Sequence, residues 1–148
     1  MQNDFSITFF SPGKFPVSDL TYVILGAREG DKWIFVKNKE RHGWELPAGH
    51  IEPGEEAMEA AHRELYEETG TTRADIIPIH DYSVTTGGRT RSGRLYFAKV
   101  LERGTRPESE IEEIRIESIS PLPATFPEAH SSFLEKLEDY LMELERNR

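Results

Sequence analysis

Residues 49–71 read GHIEPGEEAMEAAHRELYEETGT, and this stretch constrains the chain more than any other. It places Glu64, Glu67 and Glu68 behind a glycine-bearing loop and beside Arg63. On a helix, positions i, i+3 and i+4 share one face. Like charges so placed repel, each neighbouring pair costing about 0.2–0.5 kcal/mol. The patch becomes favourable when a positive centre sits against it, and carboxylate oxygens suit a hard divalent cation such as Mg²⁺. The spacing therefore predicts a magnesium site that acts on a phosphorylated substrate. The competing reading is a solvated acidic face, the usual fate of glutamate-rich helices.

The helix is predicted over about 55–69. Glu55, Glu56 and Glu59 fall in its first turns, where the helix dipole favours negative charge. Ala57, Ala61 and Leu65 recur at i+4 as a narrow apolar stripe, and Gly70 suits the C′ position. The small alanines let the helix approach a sheet closely, with the acidic face turned into a cleft.

The segment fits the pattern G-x5-E-x7-R-E-U-x-E-E-x-G-U, with U a bulky apolar residue, at Gly49, Glu55, Arg63, Glu64, Leu65, Glu67, Glu68 and Gly70. Thr71 departs from it where an apolar residue is wanted. This is the Nudix box, and the chain resembles the Nudix hydrolase superfamily. The likeness extends upstream through Trp44, Glu45, Leu46, Pro47 and Ala48. It implies an α/β fold: an α/β/α sandwich in which a mixed β-sheet is flanked by the Nudix helix and a C-terminal helix, as one domain over 1–148. It also implies a Mg²⁺- or Mn²⁺-dependent hydrolase of a nucleoside diphosphate linked to another moiety. Glu64, Glu67 and Glu68, with the carbonyl of Gly49, match the family's ligands for one to three ions. Glu64, Glu67 and Arg63 are the expected catalytic residues. Arg63, a permanently charged planar fork, is expected to hold Glu64 or Glu67 in place, and Glu55 to complete that network or a second metal shell. The proton of the attacking water falls to Glu64 or to a downstream carboxylate, the candidates being Glu108, Glu110, Glu112 and Glu113.

The chain of 148 residues carries a net charge of −9 and no cysteine. It is long enough for one domain with a full core, and the lack of cysteine excludes a disulfide framework and thiolate chemistry. No apolar run approaches the ~20 residues of a membrane span, and the N-terminus lacks a signal-peptide pattern, so a cytoplasmic location is expected. An acidic surface disfavours stable nucleic-acid binding. The expected partner is a small-molecule nucleotide, and the N-terminal segment is a candidate for pairing across a homodimer.

Strands are expected at residues 3–10, 21–25, 32–36, 44–46, 76–84, 94–101 and 111–119. Trp33 and Phe35 should face one side of the sheet and Ile34 and Val36 the other. Residues 28–31, 85–93 and 102–109 are read as turn, loop and linker. A terminal helix begins near Pro127, with Phe133, Leu134, Leu137, Tyr140, Leu141 and Leu144 as its core stripe. Arg89, Arg91, Arg94 and His50 are the substrate-binding candidates, and Trp33, Trp44, Tyr22 and Phe126 the aromatic ones. Family markers for ADP-ribose and dinucleoside polyphosphates are missing beyond the box, where Thr86 stands. Size and element order look most like the mutator-type branch, which hydrolyses oxidised nucleoside triphosphates to monophosphate and pyrophosphate. ADP-ribose or a nucleotide sugar is the runner-up substrate, and a nucleotide-sensing module without turnover the alternative class.

Overall fold

The computed structural model describes residues 4–148. In chain order the elements are β1 (Ser6–Phe10), a 3₁₀ turn (Val17–Asp19), β2 (Tyr22–Glu29), β3 (Lys32–Asn38), β4 (Trp44–Glu45), β5 (Ala48–His50), α1 (Ala57–Thr69), β6 (Thr71–Thr86), β7 (Arg89–Arg103), β8 (Ile111–Glu117) and α2 (Pro127–Arg146). Among the described residues eight strands form one mixed sheet in the order β1-β6-β7-β2-β3-β4, with β5 on β2 and β8 on β3. The β2–β7 pair is parallel and the other pairs are antiparallel.

Strand alternation divides the core into two layers. Val23, Leu25, Ile34, Tyr96 and Ala98 pack with Ala57, Ala60, Ala61 and Leu65 of α1. Trp33, Phe35, Leu95 and Phe97 point the other way and pack with Phe133 and Leu137 of α2. The sheet is thus covered by one helix on each face, as the box resemblance implied. Alanines on α1 and Gly26 on β2 set the close spacing, since a Cβ at Gly26 would run into the Leu137 side chain. Leu137 is fully buried. Leu137→Ala should therefore lower the unfolding free energy by about 2–5 kcal/mol in urea titration. A loss below about 1 kcal/mol, the size expected for a peripheral site, would place the α2 layer outside the cooperative core.

Several boundaries differ from the sequence reading for local reasons. α1 begins at Ala57 rather than 55, because Glu56 is its N-cap and closes a reciprocal capping box with Glu59. It ends at Gly70, whose φ of 78° is the left-handed conformation that glycine adopts without penalty. The expected loop over 85–93 is only a two-residue turn, Gly87–Gly88, so Arg89 and Arg91 lie on β7 rather than in a loop. The amides of both glycines donate to the Asp4 carboxylate at 2.9 and 3.0 Å. β6 starts directly after α1, and its register shifts between Pro78 and His80, where the proline cannot donate to the ladder. β1 covers most of the strand expected at 3–10, and residue 3 lies outside the described residues. Leu144, the last of the predicted stripe, is 45% exposed because α2 runs past the sheet. Thr71 at the apolar box position is buried, and its hydroxyl pairs with Thr69 Oγ1 at 2.6 Å, which satisfies the polar group that the pattern lacks.

One irregularity positions the site. β2 and β3 pair only at their hairpin end, through Glu29–Lys32 and Arg28–Trp33. Beyond it β5 takes the side of β2, with Val23 opposite Gly49, while β4 takes that of β3, with Lys37 opposite Trp44. A cleft of about 900 Å³ is lined from both arms of this fork and from the start of α2.

Candidate active site

The loop between β5 and α1 brings the backbone of Gly49 against the carboxylate of Glu64, so that any Cβ at position 49 would overlap it. Glycine is required there by close approach, not by an unusual φ. Arg63 is the hub of the helix side. Its Nε and Nη2 donate to Glu55 at 2.7 and 2.9 Å as a bidentate fork. Its Nη1 donates to Glu64 Oε1 at 2.7 Å and to Glu67 Oε1 at 3.4 Å, and Nη2 also reaches the carbonyl of His50 at 3.0 Å. One guanidinium thereby ties the box loop to the acidic face of α1. The bond from Arg63 holds the Glu55 carboxyl down to about 2.

Glu64, Glu68 and Glu110 bring ligand oxygens within 4.8 Å of one another. Glu64 and Glu68 are buried, and Ala48 N–H donates to Glu68 Oε1 at 3.1 Å. Burial pushes the Glu64 carboxyl up to about 7 against the opposing pull of Arg63, with Glu67 and Glu110 adding to the rise. Burial likewise pushes Glu68 up to about 9, opposed by the Ala48 amide and reinforced by Glu64 and Glu110. Two buried carboxylates beside a third are a strongly negative site that a divalent cation relieves. The donor set, all hard oxygen, fits Mg²⁺ or Mn²⁺ better than a softer ion.

These shifts fix a sign. A carboxyl with a folded-state pKa above its ordinary 4.5 stays protonated longer in the fold than in the unfolded chain. Its contribution is full below that ordinary value and is lost as pH rises through about 7 for Glu64 and about 9 for Glu68. Glu55, held near 2, acts oppositely, losing its contribution as pH falls from 4.5 toward 2. In chelator, the melting temperature should fall steadily as the pH is raised from 5 to 9. A melting temperature that climbs over that range would contradict the burial of these carboxyls.

The structure sorts the other predicted residues. All four downstream carboxylates are exposed, and of them Glu110 joins Glu64 and Glu68 while Glu108, Glu112 and Glu113 lie outside the group. Glu67 is also outside it; its side chain is 41% exposed and turns to Arg63. Glu110 sits just before β8, and its carbonyl accepts the Lys39 amide, which explains why no local pattern separates it from its neighbours. Arg89, Arg91 and His50 line the cleft. Arg91 Nη1 donates to the Tyr22 hydroxyl at 2.7 Å, and the Tyr22 ring lies 4.5 Å from that of His50. Arg94, expected at the substrate, is instead bound to buried Asp81 at 2.6 and 3.1 Å and to the Phe15 carbonyl, away from the cleft lining. Alternation along β7 decides this, since Arg91 and Arg94 fall on opposite faces. Of the aromatic candidates, Trp33 is in the core, while Tyr22, Trp44 and Phe126 line the cleft. Arg41 and Glu45, which also line it, were not among the expected residues.

Parts of the chain are similar to known proteins. The chain is 36% identical over 86 residues to YtkD of Bacillus subtilis, provisionally assigned as an 8-oxo-dGTP diphosphatase, with 57% of this chain and 54% of that protein covered. It is 41% identical over 61 residues to an RNA pyrophosphohydrolase of Rhodopseudomonas palustris, covering 37% of this chain and 36% of that protein. The matched stretches thus span only about a third to a half of these relatives. The fold is that of the Bacillus subtilis pyrophosphohydrolase BsRppH, with a TM-score of 0.77 at 24% identity over 94% of this chain and 92% of the other. The family model for the NUDIX domain matches residues 18–137, which take in the fork, the box, the acidic trio and most of α2, and the chain belongs to the Nudix family.

Proposed function

We propose that the protein is a divalent-cation-dependent pyrophosphohydrolase that opens a phosphoanhydride of a nucleoside triphosphate, ordinary or oxidised, to give monophosphate and pyrophosphate. The observation that carries this reading is the convergence of Glu64, Glu68 and Glu110 beside Gly49, at the wall of the cleft that Gly49, Glu68 and Glu110 line. Phosphoanhydrides resist attack because their oxygens are negative. A Mg²⁺ or Mn²⁺ ion held by Glu64, Glu68, Glu110 and the Gly49 carbonyl would neutralise that charge and acidify a water. The chain's own groups supply the rest. Glu64, oriented by Arg63 among the three converging carboxylates, accepts the proton of the attacking water, with Glu110 as the second candidate for that role. The water oxygen bonds to one phosphorus of the α–β anhydride as the bridging P–O bond breaks, and the other fragment, pyrophosphate or the nucleoside monophosphate, departs with the bridging oxygen. Arg63 keeps the Glu64 carboxylate aimed, with Glu67 completing its network. Arg89, Arg91 and His50 receive polar parts of the nucleotide on the β7 side.

The names of the two sequence relatives support a triphosphate substrate, and the second of them favours a further reading, the 5′-triphosphate end of an RNA. A panel of dGTP, 8-oxo-dGTP, ADP-ribose and a short 5′-triphosphorylated RNA, assayed with Mg²⁺ and again with chelator, distinguishes the readings. Pyrophosphate release from a nucleoside triphosphate, abolished by chelator, is expected. Turnover of ADP-ribose alone would move the substrate to a nucleotide sugar. Tight binding with no turnover of any member would make the protein a sensing module.

A further inference from the structure

The β3–β4 loop carries an arginine that faces the cleft from the side opposite the box. Arg41 Nε and Nη2 donate to the two Glu45 oxygens at 2.7 and 3.2 Å, a bidentate fork that fixes the plane of the guanidinium. Glu45 is itself anchored in β4, opposite Val36. Both residues line the cleft together with Glu68 and Glu110. The hydrogen bond to Glu45 and the negative charges of Glu45, Glu68 and Glu110 raise the Arg41 guanidinium above its ordinary value, so Glu68 and Glu110 of the trio lie within electrostatic reach of it. Yet its ion-pair partner is Glu45, with side chains 45% and 15% exposed, and not a member of the trio. A partly exposed pair of this kind adds little to stability, so the fold does not depend on it. The fork engages two of the five N–H donors that an arginine carries, and others remain for a ligand.

The charges on this lip make sense with an anion between them. A cation at the trio and the Arg41 guanidinium would repel each other across the cleft. A phosphate lying between them would bind both. We propose that Arg41, aimed by Glu45, directly binds a phosphate group of the substrate from the lip opposite the box, so that the anion is held between the guanidinium and the acidic trio. This rests on the reading of the cleft as a phosphoanhydride site. Arg41 is then a substrate-binding residue and Glu45 a positioning residue. The planar fork matters as well as the charge, because it presents paired donors to a phosphate.

The test uses Arg41→Ala, Arg41→Lys and Glu45→Gln, with Arg115→Ala as a control, since Arg115 is 46% exposed and pairs with Glu117 on β8. Inorganic pyrophosphate with Mg²⁺ is titrated calorimetrically, dGTP turnover is measured in parallel, and melting temperatures report folding. Arg41→Ala should weaken pyrophosphate binding and lower kcat/KM by roughly 10- to 100-fold, the range for a charge-assisted hydrogen bond, with its melting temperature unchanged. Arg41→Lys should recover part of the binding. Glu45→Gln should weaken it less than Arg41→Ala does, again without loss of stability. If the wild-type protein binds pyrophosphate through Arg41 but turns over no nucleotide, the proposed activity falls and this inference stands. Pyrophosphate binding and turnover in Arg41→Ala equal to those of Arg115→Ala would overturn it, as would a loss in Glu45→Gln that follows unfolding alone.

Discussion

Glu68→Gln should lower kcat by about 10²-fold or more, roughly 3 kcal/mol on the barrier, while making the ion-free protein more stable. Both halves follow from the same burial. Glu68 is 4% exposed, stands beside Glu64 and Glu110, and has its carboxyl pushed up to about 9. A glutamine keeps the shape and an acceptor for the Ala48 amide but removes a charge that burial disfavours. At pH 8 in chelator the variant should melt above the wild type. In Mg²⁺ the order should reverse or close, because only the carboxylate gains from the ion. Glu64→Gln should behave alike in activity but gain less stability, since Arg63 would lose its charged partner at 2.7 Å. Unchanged turnover in both variants would reduce the trio to a surface feature. A stability gain that Mg²⁺ leaves untouched would mean that the cation does not bind there.

The shared helix face of Glu64 and Glu68, and the places of Arg63, Gly49 and Gly70, were legible because one local helix and its flanking turns hold them, whereas Glu67, expected among the ligands, turns to Arg63 instead. The two-layer core was legible for a similar reason, since alternation placed Trp33 and Phe35 opposite Ile34 before any tertiary contact was known. Glu110 was only one of four candidates. Its place beside Glu68 depends on β8 pairing with β3, where Asn38 meets Ile111 across a register shift. That contact spans far more chain than any motif. Arg94 was misplaced for the opposite reason. Glycines and several polar residues make 85–93 look like a loop, and a loop hides the alternation that sends Arg94 to Asp81. Burial works against the Asp81 charge, yet Arg94 and the Phe15 amide outweigh it and hold its carboxyl low, as suits a structural ion pair. Arg41 carries no signal and Glu45 enters only with the stretch that extends the family likeness, because an arginine and a glutamate four apart are common, and only the fork between β2 and β3 turns them toward the site.

Arg63 gives the last expected result. Its guanidinium meets Glu55, Glu64, Glu67 and the His50 carbonyl at once, using Nε, Nη1 and Nη2. A lysine in its place keeps the charge but presents one compact ammonium, which cannot hold the bidentate Glu55 fork and the Glu64 bond together. In Arg63→Lys the Glu64 carboxylate should lose its aim, and kcat should fall by about 10²-fold, close to the effect of removing a carboxylate. KM for the nucleotide should change little, because the arginine is engaged by protein oxygens rather than by substrate. The pH profile carries a second signature. Arg63 is the group that opposes the burial of Glu64, so its weakening should move the acid limb of kcat/KM to higher pH. Both profiles are measured in saturating Mg²⁺, since turnover needs the ion, and an ion that lowers the Glu64 carboxyl does so in both proteins and leaves their order intact. A rise in KM with kcat preserved would transfer Arg63 from aiming Glu64 to gripping the polyphosphate.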